Sequence, residues 1–71
     1  MRLALANLET GLYLADRGWT TSERYARIFS NTEDVARAAS ENKVENAAVA
    51  MMRADPQITV GFYWLNDSTS A

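Results

Sequence analysis

The chain has 71 residues, of which 48% are hydrophobic and 23% charged, a composition typical of a globular domain and not of a disordered segment. Nine acidic and seven basic residues give a formal net charge of −2, which disfavours nonspecific binding to nucleic-acid phosphates or anionic lipid. The sequence has no cysteine and no histidine, which excludes disulfides, thiolate metal sites and the side chains most often used as nucleophile or general base.

The first part of the sequence predicts a β-hairpin. Residues 2–6 alternate large and small side chains, and the alternation resumes over residues 11–15 after a stretch of turn-forming residues, as in two paired strands. We expect Gly11 to supply a positive φ at the turn. Residues 16–18 are expected to break the second strand, and residues 20–27 suit one short helical turn.

The clearest local signal in the chain is a helix start. Ile28 and Phe29 form a brief apolar run before it, which suits a short strand. Two pairings then fit an N-cap residue followed by an acid in the first helical turn, namely Ser30 with Glu33 and Asn31 with Asp34. The helix is expected to run from about residue 32 to residue 42, with a buried stripe made mostly of alanine.

Two further strands are predicted after the helix. Residues 47–52 form an apolar segment, residues 54–57 form a proline-containing turn, and residues 58–65 give the strongest strand signal because they are β-branched and aromatic. The order β-β-[short helical turn or strand]-α-β-β predicts an α+β domain, in which one helix packs on one face of a small antiparallel sheet. Residues 1–65 are assigned to this single domain and residues 66–71 to a disordered C-terminal tail.

The alternation also assigns the strand residues to two faces of the sheet. The helix side is expected to carry Leu3, Leu5, Leu12, Leu14, Val49, Met51, Val60, Phe62 and Trp64. The opposite face is then small and apolar, and an exposed patch of that kind usually marks an interaction surface. The predicted partner-binding residues on it are Tyr13, Ala48, Ala50, Met52 and Tyr63. Two plainer interpretations stay open: a shifted register would exchange the faces, and scattered surface alanines carry no function.

Trp19 lies in a polar segment that follows Gly18. It is interpreted either as a contact residue held out for a partner or as a plug that folds back over the core. Because the helix stripe is mostly alanine, the core lacks volume, and this favours the plug. The predicted structural residues are therefore Gly11, Gly18, Trp19 and Asn31.

A second candidate surface is rich in arginine. Arginine for phosphates and aromatic residues for bases is the combination used to bind single-stranded nucleic acid, and the candidate contacts are Arg17, Arg24, Tyr25 and Arg27. Acidic residues are interleaved with them and cancel the charge of the segment. A solvated face with local ion pairs is therefore the favoured interpretation.

The remaining residues predict no catalytic or cofactor site. The three glycines are isolated, so there is no phosphate-binding loop, and no calcium-loop spacing is present. We expect no enzyme activity, no metal and no other cofactor. The lack of cysteine, of a long apolar stretch and of a signal-peptide pattern leads us to expect a cytoplasmic protein without a membrane partner.

Part of the chain resembles a group of small uncharacterised bacterial and phage proteins. The resemblance covers roughly residues 7–50 and consists of a TGxYL…GWT…A..F pattern followed by an acid-capped helix, represented here by Gly11-Leu12-Tyr13-Leu14, Gly18-Trp19-Thr20, Ala26 and Phe29. No activity is assigned to that group. The resemblance therefore implies an architecture and a phage or mobile-element setting. The chain differs from the group in its alanine-rich helix and its long aromatic strand.

These features predict a non-catalytic protein–protein interaction module that forms a homodimer and binds a protein partner. By its size and setting it is interpreted as a phage or mobile-element accessory, or as an inhibitor of a host defence protein, as anti-CRISPR proteins are. Two alternatives stay open. One is a nucleic-acid-binding accessory protein that uses the arginine and aromatic surface, and the other is a structural domain with no separable activity.

Overall fold

The computed structural model describes residues 2–53 and 57–65. Its elements are β1 (Arg2–Asn7), β2 (Leu12–Ala15), β3 (Gly18–Thr20), the 3-10 helix η1 (Glu23–Tyr25), α1 (Thr32–Glu41), β4 (Ala47–Arg53) and β5 (Ile58–Trp64). The strands form one antiparallel sheet in the order β3-β2-β1-β4-β5, and α1 packs on β1 and β4. The predicted α+β class is confirmed. The tail predicted at residues 66–71 and most of the turn predicted at residues 54–57 lie outside the described residues.

Two short turns build the first three strands. Gly11 has a φ of 76° and donates its N–H to the Asn7 carbonyl at 2.8 Å, so the predicted hairpin and its glycine turn are confirmed. The chain then turns again between Ala15 and Gly18, which pair directly. Gly18 has a φ of 123°, a conformation that favours glycine. The residues expected to end the second strand therefore lead into a third strand, and only η1 remains of the predicted helical turn.

Helix α1 begins at a side-chain cap. The Asn31 Oδ1 atom accepts the Asp34 N–H at 2.9 Å, which selects the second of the two predicted pairings. At the other end the Asn42 N–H donates to the Ala38 carbonyl at 3.0 Å. The observed helix, Thr32–Glu41, ends one residue before the predicted boundary.

The segment that follows η1 lies between the diverging ends of β1 and β2. Phe29 donates its N–H to the Leu3 carbonyl at 2.7 Å and accepts the Leu3 N–H at 3.1 Å, while Ala26 forms an isolated bridge with Ala15. The short strand predicted at residues 28–29 is thus reduced to a single bridge. It nevertheless brings the large side chain of Phe29 into the core.

Apolar side chains are buried on both faces of the sheet. The helix side holds the larger cluster, which consists of Leu3, Leu5, Leu14, Phe29, Val35, Ala38, Ala39, Ala47 and Val49. The opposite face holds a smaller cluster of Ala4, Ala26, Ala50 and Met52, with Tyr13 packed against it. No helix in the described ranges is long and apolar enough to cross a membrane.

A β-bulge in β5 reverses the predicted faces of that strand. Thr59 pairs with Met52 as the alternation predicts, but the register shifts at the next residue, and Val60 has no partner on β4. One extra residue turns every later side chain to the other face. Phe62 and Trp64 therefore lie opposite the helix. Tyr63 lies on the helix side, where its hydroxyl is 2.9 Å from Thr32 Oγ1.

Trp19 lies at the rim of the sheet and not in the core. Trp19 belongs to the edge strand β3, where it pairs with Leu14 of β2, and 37% of Trp19 is exposed. The expectation that Trp19 plugs the core is wrong. The core is filled by Phe29, which reaches the helix side from the segment between β1 and β2.

Replacement of Asn31 with alanine is expected to lower the free energy of unfolding by about 1 kcal/mol, because it removes the acceptor of the Asp34 N–H. Ser30→Ala, at the neighbouring exposed position, is the matched control and should change stability much less. Urea denaturation followed by circular dichroism measures both variants. Equal losses in the two variants would contradict the assignment of the cap to Asn31.

Replacement of Trp19 with alanine is expected to lower the free energy of unfolding by about 1–2 kcal/mol, because only part of the side chain is removed from water. Leu5→Ala, at a fully buried position, should cost about 2–5 kcal/mol. Chemical denaturation of both variants gives the comparison. A loss for Trp19→Ala as large as that for Leu5→Ala would return Trp19 to the core.

Candidate protein-interaction surface

The predicted partner-binding face of small residues is covered by the chain itself. Ala48, Ala50 and Met52 have relative exposures of 1%, 0% and 6%. The Tyr13 hydroxyl lies 2.8 Å from Thr59 Oγ1 and crosses this face from β2 to β5. In a flat sheet, three strand spacings would separate the backbones of Tyr13 and Thr59 by about 14 Å, farther than their two side chains can reach. The face is therefore concave, and the expectation that it forms a free patch is wrong.

The first half of β5 is fastened to η1. Glu23 Oε2 accepts the Thr59 N–H at 2.6 Å, and Gln57 Nε2 donates to the Glu23 carbonyl at 2.6 Å. Hydrogen bonds from Thr59, and a smaller contribution from Tyr13, hold the pKa of the Glu23 carboxyl below its usual value. We call the set Glu23, Gln57 and Thr59 the Glu23 clasp. The Glu23 side chain thus occupies the backbone N–H of Thr59. Another strand could otherwise pair with this donor.

The second half of β5 carries exposed aromatic side chains. Phe62 is 51% exposed and Trp64 is 59% exposed, on the face opposite the helix. Together with Leu8 and Ala48 they line a shallow depression of about 200 Å³. We call Phe62 and Trp64, the two exposed aromatic residues on this face of β5, the aromatic edge. Neither Phe62 nor Trp64 is among the predicted partner-binding residues.

The backbone of the aromatic edge is directed outward. The Leu65 N–H donates to the Ala47 carbonyl at 3.1 Å, so the backbone of Leu65 faces β4. Backbone groups alternate in direction along an antiparallel strand, so Tyr63 also faces β4. The N–H and C=O groups of Phe62 and Trp64 then point away from β4. Because β5 is the last strand in the sheet order, no strand of the described residues lies on that side.

Within residues 2–53 and 57–65, the aromatic edge does not have the usual protection of a sheet edge. Natural proteins protect edges with charged side chains, proline, bulges or a covering segment. Residues 58–65 contain no charged residue and no proline. The first half of the strand has the bulge at Val60 and the Glu23 clasp, whereas neither covers Phe62 and Trp64. The open part of the edge is therefore short and well defined.

The sequence holds one signal that could have located these residues. An isolated glycine inside a strand often marks a bulge, and Gly61 directly follows the unpaired Val60. A Cβ atom on Gly61 would lie only 2.8 Å from Met51 Cε, so the space beside the bulge is filled by a neighbouring side chain. A bulge at this glycine reverses the faces and places Phe62 and Trp64 on the outside.

The predicted nucleic-acid contacts lie in two segments of the chain that meet at the bridge between Ala15 and Ala26. Arg27 Nε lies 4.0 Å from Asp16 Oδ1, and the Arg27 guanidinium lies 5.5 Å from the centre of the Phe29 ring. Of the other three, Arg17 lies in the turn between β2 and β3, and Arg24 and Tyr25 lie in η1. Arg27 thus has an acidic and an aromatic neighbour within the chain, as a solvated face with local ion pairs would have.

A polar groove of about 300 Å³ lies between α1 and the segment before it. Its charged residues are of both signs, namely Arg27, Asp34, Arg37 and Glu41. Asp34 and Arg37 pair with each other at 3.2 Å. Within residues 2–53 and 57–65, no group of three or more potential ligand side chains could hold a metal ion.

No protein-family model matches this chain, and no curated protein and no solved structure is significantly similar to it. Of the predicted site residues, the structure brings together Tyr13, Ala50 and Met52, but in a buried cluster.

Replacement of Glu23 with glutamine is expected to destabilise the protein near neutral pH. The variant should then lose less stability than the wild type as the pH falls. The pKa of Glu23 is lower in the folded state than its usual value of 4.5, so folding favours the carboxylate. That contribution is complete above the unfolded-state pKa and is lost as the pH falls through the lowered folded-state pKa. The difference in stability between the wild type and Glu23→Gln should therefore narrow toward low pH.

Urea denaturation at a series of pH values, from neutral downward, measures this difference. Glu9→Gln, in the exposed turn between β1 and β2, is the matched control for removing one carboxylate. A stability difference between the wild type and Glu23→Gln that stays constant with pH would contradict the role of the Glu23 clasp.

Proposed function

We propose that the protein is a non-catalytic protein-interaction module that binds an extended polypeptide segment along the second half of β5. One observation supports this most directly: the aromatic edge is an uncharged sheet edge with outward backbone groups and two aromatic side chains that are more than half exposed. In strand addition, backbone hydrogen bonds align the bound segment, and contacts of alternate side chains select it.

The bound segment is expected to be apolar at alternate positions. Each backbone hydrogen bond contributes only about 0.5–1.5 kcal/mol net, because water is displaced from both partners. Burial of apolar surface contributes about 25 cal/mol per Å², so Phe62, Trp64 and the depression beside Leu8 would supply much of the affinity. An apolar side chain seated in that depression would contact all three.

The resemblance to small bacterial and phage proteins supports a narrower proposal about setting. A module of this kind, encoded by a phage or mobile element, would act as an accessory or as an inhibitor of a host defence protein, as anti-CRISPR proteins do. Such an inhibitor acts by occupying a surface and requires no catalytic residue. This agrees with the composition of the chain, which has neither histidine nor cysteine.

A selection from displayed random peptides on the immobilised protein tests the proposed function. Enriched peptides should be extended and apolar, and the double variant Phe62→Lys/Trp64→Lys should weaken their binding by at least about tenfold, equivalent to 1.4 kcal/mol. Ile58→Lys is the matched control, because it places a lysine on the same strand in the half held by the Glu23 clasp. Binding of the enriched peptides to Ile58→Lys should differ far less from binding to the wild type.

Amide hydrogen exchange then locates the bound peptide. The Phe62 and Trp64 amides point outward and should be slowed by the peptide, whereas the inward amide of Tyr63 should change little. Peptides that bind the double lysine variant as well as the wild type would contradict the proposal.

A further inference from the structure

We propose that the extended segment bound by the aromatic edge is strand β5 of a second copy of this chain. Two protomers would pair antiparallel about a two-fold axis at Tyr63 and join their sheets edge to edge. This inference depends on the proposed function, since it names the partner of the same edge. The interface of the expected homodimer is thus placed at β5 and not at the buried alanine face.

The direction of the backbone groups determines the register. In an antiparallel pair, residues that exchange both hydrogen bonds lie directly opposite each other. The outward groups are those of Phe62 and Trp64. One arrangement lets the outward backbone groups of Phe62 and Trp64 form hydrogen bonds in both strands. It places Phe62 opposite the partner's Trp64 and, by symmetry, Trp64 opposite the partner's Phe62. Tyr63 then faces the partner's Tyr63 across the axis.

The chemistry of the strand suits a copy of itself. Residues 58–65 carry no charge, so antiparallel self-pairing places no like charges opposite each other. Directly opposed side chains lie on the same face, so each Phe62 meets the partner's Trp64 as a cross-strand aromatic pair. A two-fold interface requires a self-complementary surface, and a strand with aromatic residues on both sides of its axis provides one.

Two features limit the assembly to a closed dimer. The Glu23 clasp occupies the Thr59 N–H, which prevents the pairing from sliding toward the first half of β5. The other edge of the sheet is β3, which has three residues and lies at the opposite end of the strand order. Among the described strands, pairing of the two β5 strands therefore leaves no long edge from which a filament could grow.

The size of the surface predicts a weak dimer. Aromatic side chains present roughly 150–250 Å² each, and Phe62 and Trp64 are about half exposed. Even with neighbouring groups, the surface is smaller than the roughly 800 Å² per partner of a standard interface. Because even standard-size interfaces can be as weak as micromolar, a dissociation constant on the order of micromolar or weaker is expected.

Sedimentation equilibrium of the full chain over the micromolar to millimolar range tests the dimer. The wild type should pass from monomer to dimer, and Phe62→Lys/Trp64→Lys should stay monomeric, because the proposed register places each lysine opposite a lysine of the partner. Phe62→Lys/Trp64→Glu should dimerise at low salt and dissociate at high salt, since the same register places lysine opposite glutamate. Circular dichroism checks that both variants are folded.

A measurement on the wild type avoids dependence on the variants. Exchange of the Phe62 and Trp64 amides should slow as the protein concentration rises, while exchange of the Tyr63 amide should not depend on concentration. Failure of this slowing, or growth beyond a dimer, would overturn the closed β5 pairing. A lysine–glutamate variant that stays monomeric at low salt would overturn the register.

The two proposals fail in different ways. A wild type that is monomeric at every concentration, but still binds selected peptides at Phe62 and Trp64, overturns the homodimer and retains the interaction module. A wild type that is monomeric and also fails to bind peptides at this edge overturns both.

Discussion

Alanine at the centre of β1 and β4 allows the sheet to close over one of its own faces. Ala4 and Ala50 are fully buried and fill so little space that Tyr13 from β2 meets Thr59 from β5 above them. The same face receives Ala26 and the η1 segment, and this brings Glu23 to the edge of β5. Larger residues at these positions would hold β2 and β5 apart, and η1 would lose its attachment to the strand.

The bulge at Val60 determines which side chains the last strand shows to solvent. Without it, Phe62 and Trp64 would lie under the helix and Tyr63 would face outward. With it, Tyr63 contacts Thr32 at the start of α1, and the two larger aromatic residues lie beside Leu8. The concave face is thus closed by η1 at one end. Its other end is apolar and open. The candidate interaction surface is the open end.

Local signals in the sequence predicted the parts of the fold that depend on local chemistry. The Gly11 turn and the Asn31 cap involve residues close in the chain; the turn was predicted correctly, and Asn31 was one of the two caps predicted. The faces of β5 depend on one unpaired residue, which strict alternation does not reveal. The position of Trp19 depends on a third strand and on Phe29 entering from elsewhere. Such contacts between distant residues are not visible in a periodicity.

The Glu23 clasp gives a residue outside the proposed interface control over how selective that interface is. In the proposed interface, the described part of the edge is open at Phe62 and Trp64 and would accept a segment in one alignment, because Glu23 occupies the backbone donor at Thr59. If Glu23 lost its hold, the whole uncharged strand would be available, and neighbouring alignments would become nearly equivalent. Specific recognition and resistance to aggregation would then decline together, although no residue of the aromatic edge had changed.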